Sequence, residues 1–249
     1  MMNVTAIVPA AGLGRRAGGD VPKQFLLLGG MPILTRTLLT LTTSDLVDAL
    51  ILVVPPGAED WCQREVLAPY PLPPFIEVVP GGAERQESVF RGLERVPAET
   101  RLVVIHDAVR PFLSPDLLRR TLEAAQNFRA AVAAVPAVET IKVVEGEFIR
   151  ETPSRDRIWI AQTPQAFHRE LIQEAYRRAA ADGFRATDDA MLVERLGSQV
   201  RVVLSYPENV KITTAEDLEQ AEQILSRWQD VGCGSASATT SIPWSPDAH

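Results

Sequence analysis

The stretch Val4-Thr5-Ala6-Ile7-Val8-Pro9-Ala10-Ala11-Gly12-Leu13-Gly14-Arg15-Arg16 decides the fold. Val4 to Val8 is a short, mostly apolar run. It ends in small residues and glycines, then in two arginines. That order reads as a buried strand entering a glycine loop. Backbone N–H groups in such a loop, with cations beside them, favour an anion such as phosphate.

Working outward, the same signal recurs. Ala49 to Val54 is a second buried strand, stopped by Pro55-Pro56-Gly57, and Phe75 to Val79 is a third, stopped by Pro80-Gly81-Gly82. Leu102 to Ile105, Ala130 to Val135 and Val200 to Leu204 read likewise. Helical spacing covers Pro32 to Leu41, Glu84 to Val96, His168 to Ala181 and Asp188 to Leu196. Ser114-Pro115 supplies an N-cap and a first-turn proline for a further helix. Thr213-Thr214 with Glu216-Asp217 resembles a capping box and opens the last one. Alternating strands and helices predict an α/β fold with a mostly parallel sheet and helices on both faces. Such sheets bind ligands beyond the carboxyl ends of their strands, here in the loops after the first, third and fourth strands.

Two segments break the pattern. Glu139 to Arg157 alternates apolar and charged residues around Gly146, the mark of a β-hairpin. A lone hairpin is marginal, so a protruding arm packed on a partner subunit is expected. Residues 229–249 turn to Gly, Ser, Ala, Thr and Pro and read as a disordered tail, leaving residues 1–228 as a single domain.

The 249 residues are 46% hydrophobic with a net charge of -7. Such acidity argues against general nucleic-acid binding, which needs a basic face. The two cysteines and three histidines form no zinc or disulfide pattern. The N-terminus shows neither a signal peptide nor a membrane span, so a cytoplasmic location is expected.

Gly12-x-Gly14-x-x-Ala17 satisfies the loose dinucleotide fingerprint, but the second strand ends Val53-Val54-Pro55-Pro56 without the acid that grips a ribose. No Tyr-x-x-x-Lys completes a nicotinamide enzyme, and no Gly-Lys-Ser/Thr completes a P-loop. Arg15, Arg16 and Lys23 suit a triphosphate better. The Gly81-Gly82 turn permits positive φ and close approach of a flat base. Asp107, just past a buried strand, is a candidate ligand for Mg²⁺, directly or through water. Arg110 has the fork to bind a phosphate. His106 reads as structural. Each piece alone fits a plain turn, a strand-end ion pair or a solvated lysine.

Together the pieces resemble the 2-C-methyl-D-erythritol 4-phosphate cytidylyltransferases of non-mevalonate isoprenoid biosynthesis. The matching residues run from Val8-Pro9-Ala10-Ala11-Gly12-x-Gly14-Arg15-Arg16 and Pro22-Lys23-Gln24 to Gly81-Gly82-x-x-Arg85-Gln86-x-Ser88. His106-Asp107-Ala108-x-Arg110-Pro111, Gln162-Thr163-Pro164-Gln165, Thr187-Asp188-Asp189 and Asn209-x-Lys211 follow in the family's order. The resemblance implies a Rossmann-like nucleotidyltransferase fold, a homodimer, and CTP and a phosphorylated polyol as substrates, with Mg²⁺. It implies Arg16, Lys23, Lys211 and Asp107 as catalytic, and Pro9, Ala10, Ala11, Gly12, Gly14, Gly82, Ser88 and Ala108 around the nucleotide. It implies Arg110, Thr140, Arg155 (with Arg157 the neighbouring alternative), Thr163 and Thr187 around the acceptor. Ala83 departs from the acid found there in some members. A ribitol-phosphate cytidylyltransferase is the nearest alternative.

Overall fold

Strand β1 (Val4–Pro9) pairs in parallel with β4 (Ala49–Val54) on one side and β6 (Leu102–Ile105) on the other, so that Ile7 faces both Ile51 and Ile105. These coordinates are a computed structural model and describe residues 3–12 and 22–232. The sequence-predicted Gly14, Arg15, Arg16 and Ala17, and the tail from residue 233, lie outside the described residues.

The chain continues from β1 through a small ribbon, β2 (Leu27–Leu28) and β3 (Met31–Pro32), to α1 (Ile33–Thr42) and then β4. Helix α2 (Glu59–Cys62) runs into a wider π turn (Gln63–Leu67) before β5 (Ile76–Pro80) and α3 (Arg85–Glu94). After β6 come α4 (Pro115–Phe128), β7 (Ala130–Pro136), the hairpin β8 (Val143–Glu145) and β9 (Phe148–Glu151), and β10 (Trp159–His168). Helices α5 (Arg169–Ala181) and α6 (Asp189–Arg195), strand β11 (Arg201–Leu204) and α7 (Ala215–Gly232) complete the order.

The seven-stranded sheet has the order β11-β7-β10-β6-β1-β4-β5. From β1 the chain winds one way through β4 to β5, then returns to place β6 on β1's other side. The switch point therefore lies between β1 and β6, where a parallel sheet opens a crevice at its carboxyl edge. The alternation of strand side chains divides the core. Ala6, Val8, Leu52 and Val104 pack under α1 and α4, whereas Ile7, Val53, Val103 and Phe167 pack under α3, α5 and α6. A third cluster seats Ala221, Ile224 and Leu225 of α7 on Leu28, Ile33 and Phe112.

The caps form as the sequence predicts. Ser114 Oγ accepts from Leu117 N at 3.2 Å with Pro115 in the first turn. Thr214 Oγ1 accepts from Asp217 N at 3.2 Å, and Asp217 Oδ2 accepts in return from Thr213 N at 2.7 Å and Thr214 N at 2.9 Å. Each cap is worth about 1 kcal/mol.

Besides the small β2–β3 ribbon, two larger elements escape the sequence reading. Strand β10 is antiparallel to both β6 and β7, in mid-sheet. Its run of Gln162, Thr163, Pro164 and Gln165 hides it, because neither apolar continuity nor alternation survives there. The structure puts a register shift between Ala161 and Gln165, which is how a sheet accommodates a proline. Helix α2 and its π turn bury only Cys62, Val66 and Leu67, too brief an apolar face to announce a helix. Burial pushes the Cys62 thiol up to about 12, leaving it an inert packing group. Helix α7 extends to Gly232, beyond the boundary expected at residue 228.

Candidate active site

The loops after β1, β5 and β6 meet around a cavity of about 170 Å³ at the switch point. Pro9, Ala10, Ala11, Gly12, Lys23, Gly82, Ser88, Asp107, Ala108 and Lys211 all line it. Thus every nucleotide-site and catalytic residue expected from sequence is brought to one place, apart from Gly14 and Arg16, which lie outside the described residues.

The first loop is tied down from behind. Ala10 N donates to Val53 O at 2.7 Å, and buried Gln24 donates through Nε2 to Ala10 O at 2.6 Å and to Gly12 O at 3.0 Å. A short 3₁₀ turn (Lys23–Phe25) holds both Gln24 and Lys23, so the residue that staples the loop is adjacent to a lysine that lines the cavity.

The Gly81-Gly82 turn differs from expectation in its physical reason. Neither glycine adopts positive φ. Space is what demands glycine: a Cβ on Gly81 would strike Ala11 Cβ and, at 2.8 Å, Ser88 Oγ, and one on Gly82 would strike Glu87. Ser88 Oγ accepts from Gly82 N at 3.1 Å and donates to Glu84 O at 3.0 Å. Gly81 thus sits close against Ala11 of the first loop.

Asp107 is the centre of the charge arrangement. It is buried, yet its carboxylate meets Lys211 Nζ at 2.9 Å, Arg85 Nε at 3.3 Å and Arg110 Nε at 3.4 Å. Burial opposes its ionisation, but Arg85, Lys211 and Arg110 outweigh burial and hold the carboxyl well below the usual range. Arg85 is itself anchored: its two terminal nitrogens reach Asp189 at 3.0 and 2.7 Å, and Asp189, fully buried, also accepts from the Tyr176 hydroxyl. Arg85 was quoted in the sequence motif without a role; a guanidinium between two buried carboxylates is visible only in three dimensions.

Lys211 is positioned by its neighbours. Ile212 N donates to Val109 O at 3.0 Å, and Arg110 Nη1 donates to Asn209 O at 2.6 Å. Asn209 Nδ2 donates to Gln162 Oε1 at 3.0 Å and to Thr163 O at 2.9 Å, and Ser205 Oγ donates to the same Gln162 oxygen at 2.7 Å. The bulged part of β10 thus holds the loop that carries Lys211. Gln165 does similar work on the other side, donating to Asp188 Oδ2 and accepting from Ala190 N at 2.9 Å each, which fixes the start of α6.

The acceptor residues expected from sequence do not line this cavity. Arg110 is buried, with its guanidinium engaged by Asp107 and Asn209 O. Thr163 is buried under His106: its Oγ1 accepts from Asp107 N at 3.0 Å and lies 3.0 Å from His106 Nδ1. Thr187 is exposed at the N-terminal side of α6. Thr140 and Arg155 are exposed on the hairpin arm, where Arg155 Nη1 donates to Val138 O at 3.0 Å.

His106 closes a hydrogen-bond chain. Its Nε2 lies 3.0 Å from Arg110 O, a pure acceptor, so Nε2 carries the proton and Nδ1 accepts from Thr163. Burial is the largest influence on this imidazole and pushes its pKa down to about 4. A lowered histidine value stabilises the fold fully above the unfolded value of 6.5, and the contribution is lost as pH falls towards 4. We expect His106 to lower unfolding free energy by on the order of 3 kcal/mol across that window. An NMR titration of His106 checks this; a midpoint near 6.5 refutes it.

Comparison with known proteins shows the family. Residues 4–227 match the sequence model of the family described as 2-C-methyl-D-erythritol 4-phosphate cytidylyltransferase. Curated proteins of that name from Geobacter metallireducens and Syntrophus aciditrophicus are 48% and 49% identical, over 90% of this chain and 98% and 96% of theirs. Among solved structures, 4-diphosphocytidyl-2C-methyl-D-erythritol synthase from Anaerococcus prevotii is 34% identical with a TM-score of 0.81, covering 90% of this chain and 96% of that one. The Thermus thermophilus cytidylyltransferase is 37% identical with a TM-score of 0.73, covering 90% and 98%. With residues 4–227 matched by the family model and relatives of that name at 48% and 49% identity, the chain belongs to the 2-C-methyl-D-erythritol 4-phosphate cytidylyltransferases.

Proposed function

We propose that the cavity at the switch point takes CTP and that the chain transfers its cytidylyl group to 2-C-methyl-D-erythritol 4-phosphate. The products are 4-diphosphocytidyl-2-C-methyl-D-erythritol, for isoprenoid biosynthesis, and pyrophosphate. The observation that carries this reading is the juxtaposition of Lys23 and Lys211 on one cavity with a flat, small-residue floor of Ala10, Ala11 and Gly82.

An acceptor phosphate oxygen forms a bond to the α-phosphorus as the bond to the β-phosphate bridge breaks, and the electron pair leaves on pyrophosphate. A phosphate monoester has a second pKa of about 6, so the nucleophile is ionised at neutral pH and needs no general base. Buried, neutral His106 is suited to holding structure and not to moving protons. The chemistry depends instead on positioning and on cations near the developing charge. Lys23 and Lys211 provide these, and Arg16 belongs with them by sequence. Mg²⁺ would neutralise triphosphate charge. Both oxygens of Asp107 already face cations, so this donor set fits contact to the ion through water, with phosphate oxygens as its main ligands. Among the described residues no three His, Cys, Asp or Glu side chains group as a metal site.

The acceptor side is completed by a second copy of the chain in this reading. The arm exposes Val144, Phe148 and Ile149, with Phe148 80% exposed, on a two-stranded ribbon that cannot bury them itself. Thr140 and Arg155 ride on this arm, away from their own cavity. We expect Phe148→Asp with Ile149→Asp to convert a homodimer to monomers in sedimentation experiments. Mixing inactive Lys211→Ala and Arg155→Ala proteins should restore turnover through hybrid dimers; no restoration would place Arg155 at its own subunit's site or at none.

No helix among the described residues is long and apolar enough to cross a membrane; a cytoplasmic location accords with this reading. The test of function is pyrophosphate release with CTP, UTP, ATP or GTP against methylerythritol phosphate or ribitol phosphate. Release with CTP and methylerythritol phosphate alone is expected. Preference for ribitol phosphate would overturn the acceptor but keep the site.

A further inference from the structure

A second cavity, of about 340 Å³, opens at the opposite end of the sheet. It is lined by the amino end of β6 at Leu102, the entry to β7 at Arg129, and the junction of β10 and α5 at His168, Arg169 and Glu170. His168 and Leu102 are partners in register, so this end lies a full strand length from Asp107.

Three arginines are among its lining residues, Arg101 and Arg129, both exposed, and Arg169, half-buried. In the acidic chain this is a local excess of positive charge. Glu99 and Glu170 also line the cavity, yet among the described residues no acid forms an ion pair with any of the three arginines. Arg169 reaches only Pro97 O, at 3.5 Å, and its Nε is buried without a hydrogen-bond partner. A buried donor left unmade is costly. The N-terminus of α5 opens here too, and its N-cap residue, His168, contributes no side-chain cap.

Arg129 adds an independent sign. It closes α4 in the left-handed region at φ 72°, a position where glycine is favoured. An arginine kept there at a backbone cost points to a task for its side chain.

We propose that this cavity is an anion site for a diphosphate group. Guanidinium forks match phosphoryl oxygens two at a time, and several forks with a helix N-terminus suit a compact polyanion better than a single carboxylate.

The test uses inorganic pyrophosphate and calorimetry on the full chain. To remove the contribution of the cavity at the switch point, the background is the Lys23→Ala/Lys211→Ala variant. One-to-one pyrophosphate binding is expected to persist in that background. Adding Arg129→Gly should weaken it roughly tenfold or more while leaving the thermal midpoint unchanged or raised, because glycine relieves the left-handed residue. A purely structural Arg129 would leave binding unmoved. Arg101→Gln and Arg169→Gln should each weaken binding as well. No binding in the background variant, or equal binding with all three arginines replaced, overturns the proposal. A monoalkyl diphosphate run in parallel distinguishes the sources. Equal affinity assigns the site to a diphosphate headgroup, and selective binding of the inorganic ion assigns it to pyrophosphate.

Discussion

Lys211→Ala is expected to lower kcat by about a hundredfold, the scale on which one preorganised charge contact acts at a phosphoryl or acyl centre. The protein should remain folded. The Lys211 side chain is 39% exposed, and its ion pair with Asp107 is only one of three that the carboxylate makes, so its loss leaves Arg85 and Arg110 to neutralise the buried charge. An ion pair of this exposure contributes no more than about 1 kcal/mol to stability. What is lost is a cation set at the mouth of the cavity by a chain of buried contacts through Asn209, Gln162 and Arg110. Lys211→Arg should recover only part of the rate, because a planar fork does not replace a compact ammonium at a fixed point. The same loss is expected for Lys23→Ala. Pyrophosphate release at saturating substrates is the measurement, and turnover near wild type in a folded Lys211→Ala protein removes that residue from the mechanism.

Arg85→Met should be the most damaging single change to stability near the site. It strands Asp189, fully buried, with Tyr176 as its remaining side-chain partner. Breaking one side of a buried ion pair typically costs about 3–5 kcal/mol, because the remaining charge is left uncompensated. The double variant Arg85→Met/Asp189→Leu removes both charges and should regain most of that stability, since apolar replacement of a whole buried pair is often neutral. Turnover should not return with it. Arg85 also meets Asp107 at 3.3 Å, and without that contact the carboxylate that aligns Lys211 is held from two sides instead of three. Urea unfolding and pyrophosphate release on the same preparations separate the two effects. If the double variant recovers stability and activity together, Arg85 has no positioning role beyond its pairing with Asp189.

Much of the architecture was legible before any coordinates. Strands Ala49–Val54 and Leu102–Ile105 appear at their expected bounds because an uninterrupted β-branched and leucine run between turn residues has few alternatives. Ser114 and Thr214 cap as read because a cap is a local hydrogen bond, decided within four residues. Placing ligand chemistry after the first, third and fourth strands also needed only the winding rule. The cavity collects the expected loop residues for that reason.

What failed to show in sequence is long-range. Strand β10 is a strand because β6 and β7 leave a gap for it, and its glutamines and proline obey no local pattern. Gly81 and Gly82 are glycines for lack of room beside Ala11 and Glu87, not for an unusual φ. Arg110 and Thr163 look like ligand-binding groups on paper, yet folding turns both inward to hold Asp107 and the loop before Lys211. The sequence by itself determined most of the order of strands and helices, β10 and α2 excepted, and the residue types delivered to the carboxyl edge, because periodicity and capping are local. Only the tertiary structure decided which of those charges face each other. Arg85 and Asp189 are separated by 104 residues, and their contact exists only after the sheet has closed.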